Sequence, residues 1–88
     1  MKIKSNYVIK TIGEEIVVVP IKDEAVRFNG IITLNKTGKF LFQSLQEKAL
    51  TKEELLEIVL EKYDVEKDVA SKDLEAFLDI CKENDLLE

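Results

Sequence analysis

The sequence predicts an α+β fold in which a three-stranded antiparallel sheet is followed by three helices. The apolar pattern has a period near two as far as Leu34 and a period of about three and a half beyond it. Asn35 lies at the change, and its side chain can accept a hydrogen bond from the free backbone N–H groups of a first helical turn. Since the chain has 88 residues, we expect one domain over residues 1–88.

The first two strands are predicted to form a hairpin. Residues 7–12 and 15–20 are rich in β-branched residues, and Gly13-Glu14 between them is typical of a tight two-residue turn. Pro20 ends the second strand because proline has no N–H group to donate to a ladder. The two strands should therefore pair antiparallel.

The third strand is predicted over residues 31–34, after a turn at Asn29-Gly30. No extended segment follows it, so we expect it at an edge of the sheet. Side chains alternate along a strand, so if Ile32 and Leu34 face the core, Ile31 and Thr33 face the other way, and a shift of one residue would reverse them.

The first two helices have clear starting signals. The first is predicted from Asn35 to about Glu47. The second begins at Thr51, because Thr51 and Glu54 have the spacing of a capping box, in which each side chain satisfies a backbone N–H of the other residue. It should end before Asp64.

The third helix is predicted to begin between Glu66 and Ser71 and to end near Asn84. Its core stripe consists of Ala70, Leu74, Phe77 and Cys81. A second apolar flank consists of Val69, Ala76 and Ile80, with Asp73 among them. This flank either packs between the sheet and the other helices or lines a groove.

Composition excludes several classes of function. The net charge of −5 opposes binding to a phosphate backbone. The chain has no histidine and one cysteine, Cys81, so we expect no metal site, no cofactor and no enzymatic activity, and an inert core thiol. No apolar run is long enough to cross a membrane and no signal peptide is evident, which predicts a cytoplasmic protein.

Several short motifs follow one another along the chain. They are Phe28 and Gly30, Leu34-Asn35-x-Thr37-Gly38, Leu41-Phe42 with Leu45, Tyr63-Asp64-Val65, Asp73-Leu74, Phe77-Leu78 and Leu86-Leu87. In this order the chain resembles the PqqD-like family over residues 7–87. That family comprises small winged-helix proteins also called RiPP recognition elements. Three residues depart from the family pattern. They are Phe42, where the family often has tryptophan, Cys81, where it more often has leucine, and Asp85, where it commonly has glycine.

The resemblance implies a small winged-helix-like domain that acts as a non-catalytic peptide chaperone. Such a protein binds the leader segment of a ribosomally synthesised precursor peptide as an added strand and presents it to a radical SAM enzyme or to a lasso-peptide protease and cyclase. The implied peptide-binding residues are Gly30, Ile31, Ile32, Thr33, Leu34, Val69, Asp73, Ala76, Phe77 and Ile80. Because main-chain hydrogen bonds supply much of the affinity, proline at Ile32 is expected to abolish capture while sparing much of the fold.

Two other functions remain open at the level of the sequence. A winged-helix DNA-binding regulator has a similar architecture, although the third predicted helix carries six acidic residues and three lysines between Glu66 and Asn84. A docking subunit of a biosynthetic enzyme, without direct contact to peptide, is not separated by the sequence. We expect a monomer or a weak homodimer, since an exposed sheet edge can pair with its own copy.

Overall fold

The computed structural model describes residues 1–21 and 32–88, so the predictions for Gly30, Ile31 and the Asn29-Gly30 turn lie outside the described residues. The described elements follow the predicted order of strands and then helices. They are β1 (Tyr7–Ile12), β2 (Glu15–Pro20), β3 (Ile32–Leu34), α1 (Lys36–Glu47), α2 (Lys52–Lys62) and α3 (Lys67–Glu83). The α+β prediction, a three-stranded antiparallel sheet followed by three helices, is confirmed.

The sheet has the strand order β1-β2-β3 with both pairs antiparallel. Gly13 turns the hairpin at φ 62°, a left-handed conformation that glycine adopts at little cost. Within the described part of the chain, β3 is an edge strand, as predicted. Ile32 and Leu34 are buried and Thr33 is exposed, which confirms the predicted alternation.

Side chains cap the first two helices as predicted. The Gly38 N–H donates to Asn35 Oδ1 at 2.7 Å. The Glu54 N–H donates to Thr51 Oγ1 at 3.1 Å, and the Thr51 N–H donates to Glu54 Oε1 at 2.9 Å, completing the capping box. The hydrogen bond from the Thr51 backbone lowers the pKa of the Glu54 carboxyl. These contacts fix the residues at which α1 and α2 begin.

The core lies between one face of the sheet and the three helices. The predicted stripe of α3 is buried there, as are the central side chains of α1 and α2: Ala70, Leu74, Phe77 and Cys81 from α3, Leu41, Phe42 and Leu45 from α1, and Leu55 and Val59 from α2. The position of this stripe fixes the rotation of α3 and therefore the face that it turns toward β3.

The end of α3 is closed by a Schellman motif. The Leu86 N–H donates to the Cys81 carbonyl at 2.9 Å, and the Asp85 N–H donates to the Lys82 carbonyl at 3.4 Å. Asp85 adopts φ 54°, the left-handed conformation for which glycine is the usual residue. Leu86 then enters the core, and Leu87 forms a bridge with Ile3.

Candidate functional site

A groove runs between the end of β3 and the middle of α3. It has a volume of about 160 Å³ and is lined mainly by Thr33, Leu34, Asp73, Ala76, Phe77 and Ile80. Asp73 and Ile80 are seven positions apart on α3, about 10 Å along the helix axis, and a three-residue strand has about the same length. Of β3, Thr33 and Leu34 line the groove and Ile32 does not.

The groove has an apolar floor and a mixed rim. Leu34 and Phe77 are buried and form the floor, whereas Ile80 is half-buried. Ala76 is exposed at the rim, where its small side chain leaves the groove open. Among the described lining residues, the titratable group is the carboxylate of Asp73, a half-buried residue. Two residues of the flank predicted from the helical pattern, Ala76 and Ile80, thus line a groove.

Asn35 and Gly38 complete the groove at the start of α1. A Cβ atom at Gly38 would lie 3.3 Å from Leu34 Cβ and 3.3 Å from Asn35 Oδ1, which is tighter than ordinary van der Waals contact. The absence of a side chain at Gly38 therefore lets the first turn of α1 pack directly on the end of β3. This contact holds Leu34 in place as part of the floor.

The open edge of β3 is defined by the phase of the hydrogen-bond ladder. The Ile21 N–H donates to the Asn6 carbonyl at 2.8 Å, next to the pair Tyr7 and Pro20. Hydrogen-bonded pairs alternate along an antiparallel ladder, so Val17 and Val19 direct their backbone groups toward β1. The intervening Ile16 and Val18 direct theirs toward β3, where they oppose Leu34 and Ile32.

Thr33 consequently directs its N–H and C=O groups away from β2, because it alternates with two residues that bond to β2. Within the described residues no strand pairs with this side of β3. Since the N–H of Ile32 belongs to the ladder between β2 and β3, proline at Ile32 would break the sheet itself. Strand addition is therefore tested by a proline substitution at Thr33 and not at Ile32.

The structure brings six of the ten residues implied by the resemblance into the groove, namely Thr33, Leu34, Asp73, Ala76, Phe77 and Ile80. Ile32 is buried in the core beside it. Val69 is 47% exposed and does not line the groove. Gly30 and Ile31 lie outside the described residues. Sequence reasoning missed Asn35 and Gly38 as lining residues, although the same two positions carry the helix cap.

The described residues contain neither a reactive thiol nor a cluster that could bind a metal ion. The Cys81 side chain is fully buried, and burial raises the pKa of its thiol to about 12, so the nucleophilic thiolate is absent near neutral pH. Across residues 1–21 and 32–88, no group of histidine, cysteine and acidic side chains could hold a metal ion. The helices described are too short or too polar to cross a membrane.

Comparison with known proteins gives a family and a structural neighbour. The family model described as coenzyme PQQ synthesis protein D (PqqD) matches residues 15–87. The chain is similar to TbiB1 in its complex with the TbiA(beta) leader peptide, at 25% identity and a TM-score of 0.69, over 100% of this chain and 95% of that chain. No protein of curated function matches the chain significantly. Because the family model spans most of the sequence, the chain belongs to the PqqD family.

Proposed function

We propose that this protein is a non-catalytic peptide chaperone. It binds the leader segment of a ribosomally synthesised precursor peptide as a strand added to β3, and it presents that peptide to a modifying enzyme. One observation carries the proposal: the outward backbone groups of Thr33 lie beside an apolar groove formed with α3. Membership of the PqqD family and similarity to TbiB1, whose structure contains a leader peptide, support it.

The two parts of the site have different tasks. The N–H and C=O of Thr33 bond to the peptide backbone and give affinity that is largely independent of sequence. The groove receives a side chain and gives selectivity. Its volume of about 160 Å³ is close to that of an engineered cavity of about 150 Å³ that binds benzene. One large aliphatic or aromatic side chain of the leader therefore fills it.

Modest affinity is sufficient for such a chaperone. Micromolar binding corresponds to about −8 kcal/mol, and holding the precursor beside its enzyme raises the effective concentration of substrate there. Catalysis is assigned to the partner enzyme, since the described residues of the groove include a single titratable side chain, Asp73, and the buried thiol of Cys81 is protonated near neutral pH.

Proline at Thr33 tests strand addition. The probes are synthetic copies of the leader segments of peptides that the protein captures from a lysate of its source cell, titrated by fluorescence anisotropy. Thr33→Pro removes an outward donor and should weaken binding at least about tenfold, equivalent to about 1.4 kcal/mol. Thr11→Pro is the matched control, because Thr11 directs its N–H to the open side of β1 by the same alternation. Equal losses in both variants, or normal binding by Thr33→Pro, would contradict the proposal.

If Thr33→Pro does not fold, amide hydrogen exchange of the protein without substitutions provides the test. Added leader peptide should slow amide hydrogen exchange at Thr33, because its N–H becomes hydrogen-bonded, and should leave exchange at Thr11 unchanged. Unchanged exchange at Thr33 with peptide bound would place the peptide elsewhere.

A further inference from the structure

A second concavity, which we call the basic cleft, lies between the hairpin end of the sheet and helices α1 and α2. It has a volume of about 770 Å³, and its walls include Ile16, Lys36, Lys39, Phe40, Lys62 and Tyr63. None of its lining residues lines the groove. The two sites lie on either side of the chain where β3 ends at Leu34 and α1 begins at Lys36.

The charge of the basic cleft is opposite to that of the whole chain. The described lining residues include three lysines, Lys36, Lys39 and Lys62, and one carboxylate, Glu14, in a protein with a net charge of −5. Lys36 and Lys39 are three residues apart on α1 and therefore lie on one face of that helix. None of the three lysines forms an ion pair with a described residue. The cleft therefore offers three ammonium groups to an anionic ligand.

Two aromatic rings lie among these ammonium groups. Phe40 and Tyr63 meet edge to face, with ring centroids 5.9 Å apart and an interplanar angle of 88°. Lys62 Nζ lies 5.1 Å from the Phe40 centroid and 5.9 Å from the Tyr63 centroid, so the rings hold this cation by cation–π attraction. The cleft thus combines fixed positive charge with apolar ring surface.

We propose that the basic cleft binds an acidic segment of the partner enzyme, in which glutamate or aspartate flanks an apolar side chain. The carboxylates pair with Lys36 and Lys39, and the apolar side chain packs on Phe40 and Tyr63. This inference rests on the proposed function, because it identifies the surface through which the chaperone meets its enzyme. Three lysines in an acidic chain are too few for the extended contacts with phosphates that nucleic-acid binding requires.

Separation of the two sites favours the enzyme as occupant of the basic cleft. Because they share no lining residue, a leader in the groove and an acidic segment in the basic cleft can be bound at the same time. Simultaneous binding is what a presenting protein requires, since it converts the encounter of enzyme and substrate into an intramolecular event. A precursor bound in the groove is therefore held close to its enzyme.

The test uses two defined peptide probes and the full chain. One probe has the sequence Gly-Glu-Glu-Leu-Phe-Glu-Glu-Gly, and the other has glutamine in place of each glutamate. In an NMR titration of the isotope-labelled protein, the acidic probe should shift the signals of Lys36, Lys39, Phe40 and Tyr63, and the glutamine probe should not. Equal shifts with both probes, or shifts scattered over lysines outside the cleft, would overturn the proposal.

Charge reversal separates the local effect from net charge. Lys36→Glu with Lys39→Glu should weaken binding of the acidic probe at least about tenfold. Lys10→Glu with Lys67→Glu changes the net charge equally at two exposed residues outside the cleft and should change affinity by less than about threefold. Equal losses in the two double variants would reduce the effect to net charge and overturn the proposal.

The same variants distinguish this proposal from the proposed function. Lys36→Glu with Lys39→Glu should bind leader segments normally, and Thr33→Pro should bind the acidic probe normally. Leader binding lost in the lysine variant would assign the basic cleft to the precursor peptide and overturn the partner assignment. Loss of leader binding in Thr33→Pro alone would leave both proposals standing.

Discussion

The groove and the basic cleft are adjacent but recognise ligands by different physics. Among the described residues the groove has one charged side chain, Asp73, and otherwise offers mainly apolar side chains and backbone hydrogen bonds. The cleft has three lysines and an aromatic pair. Burial of apolar surface is non-directional and insensitive to screening, whereas attraction between exposed charges falls as salt rises. One small fold therefore carries two sites that respond to different conditions.

This difference bears on how a chain of 88 residues can hold two ligands. A domain of this size has too little interior for a deep pocket, so both sites are shallow and each uses the boundary between elements. The N-terminal turn of α1 is that boundary for both, with Gly38 packed toward β3 and Lys36 on the side of the hairpin.

The largest expected effect comes from closing the groove at its rim. Ala76→Glu places a carboxylate beside the apolar floor, and desolvating that charge should weaken leader binding at least about tenfold. Val69→Glu adds the same side chain at another exposed residue of α3, outside the groove, and should change affinity by less than about twofold. Fluorescence anisotropy with leader segments measures both. A comparable loss in Val69→Glu would mean that the peptide extends beyond the groove by a further helical turn.

Salt dependence is the next effect in size. The screening length falls from about 10 Å at 0.1 M salt to about 3 Å at 1 M. Over this interval the affinity of the basic cleft for the acidic probe should fall about tenfold, and leader affinity should change by less than about twofold. Isothermal titration of the two ligands at both salt concentrations makes the comparison. Equal salt slopes would remove the distinction between the sites.

The smallest effect is on stability and serves as a control for both sites. Asp85→Gly relieves a left-handed residue but gives up the exposed Lys4 Nζ to Asp85 Oδ2 ion pair of 2.8 Å. Relief of the left-handed conformation outweighs an exposed pair, so the free energy of unfolding in urea should rise by about 0.5 kcal/mol. Neither leader nor acidic-probe affinity should change. A loss of stability would mean that the ion pair matters more than the backbone conformation.

Local signals were sufficient to predict most of the fold. The hairpin, the Asn35 cap, the Thr51 and Glu54 capping box and the buried stripe of α3 depend on residues that are neighbours in sequence, and all are confirmed. The start of α3 at Lys67, with Glu66 as its N-cap, falls within the predicted interval.

The predictions for the site were less complete because they required distances between elements. Helical geometry grouped Val69 with Ala76 and Ile80 by angle, but Val69 precedes Asp73 by four residues, about 6 Å along the axis, and does not line the groove. The direction of the Ile32 N–H depends on the phase of a ladder set between Asn6 and Ile21, which composition does not reveal.

The basic cleft was missed for a related reason. Its lysines appear in sequence as ordinary solvated charges at Lys36, Lys39 and Lys62, and they converge only when α2 packs beside α1. A search for clustered basic residues in the sequence finds no run there. The interspersed Phe40 and Tyr63 were the available signal, because each stands next to a lysine.

The short outward edge of β3 also limits how a bound peptide is aligned. Within the described residues, Thr33 is the position whose backbone groups face outward. A peptide displaced by two residues would restore the same hydrogen bonds, so the ladder cannot distinguish one reading frame from the next. The groove must make that distinction by accepting a single side chain. A leader with two similar large side chains two positions apart would therefore bind in two frames, and the modification would spread over two sites in the product.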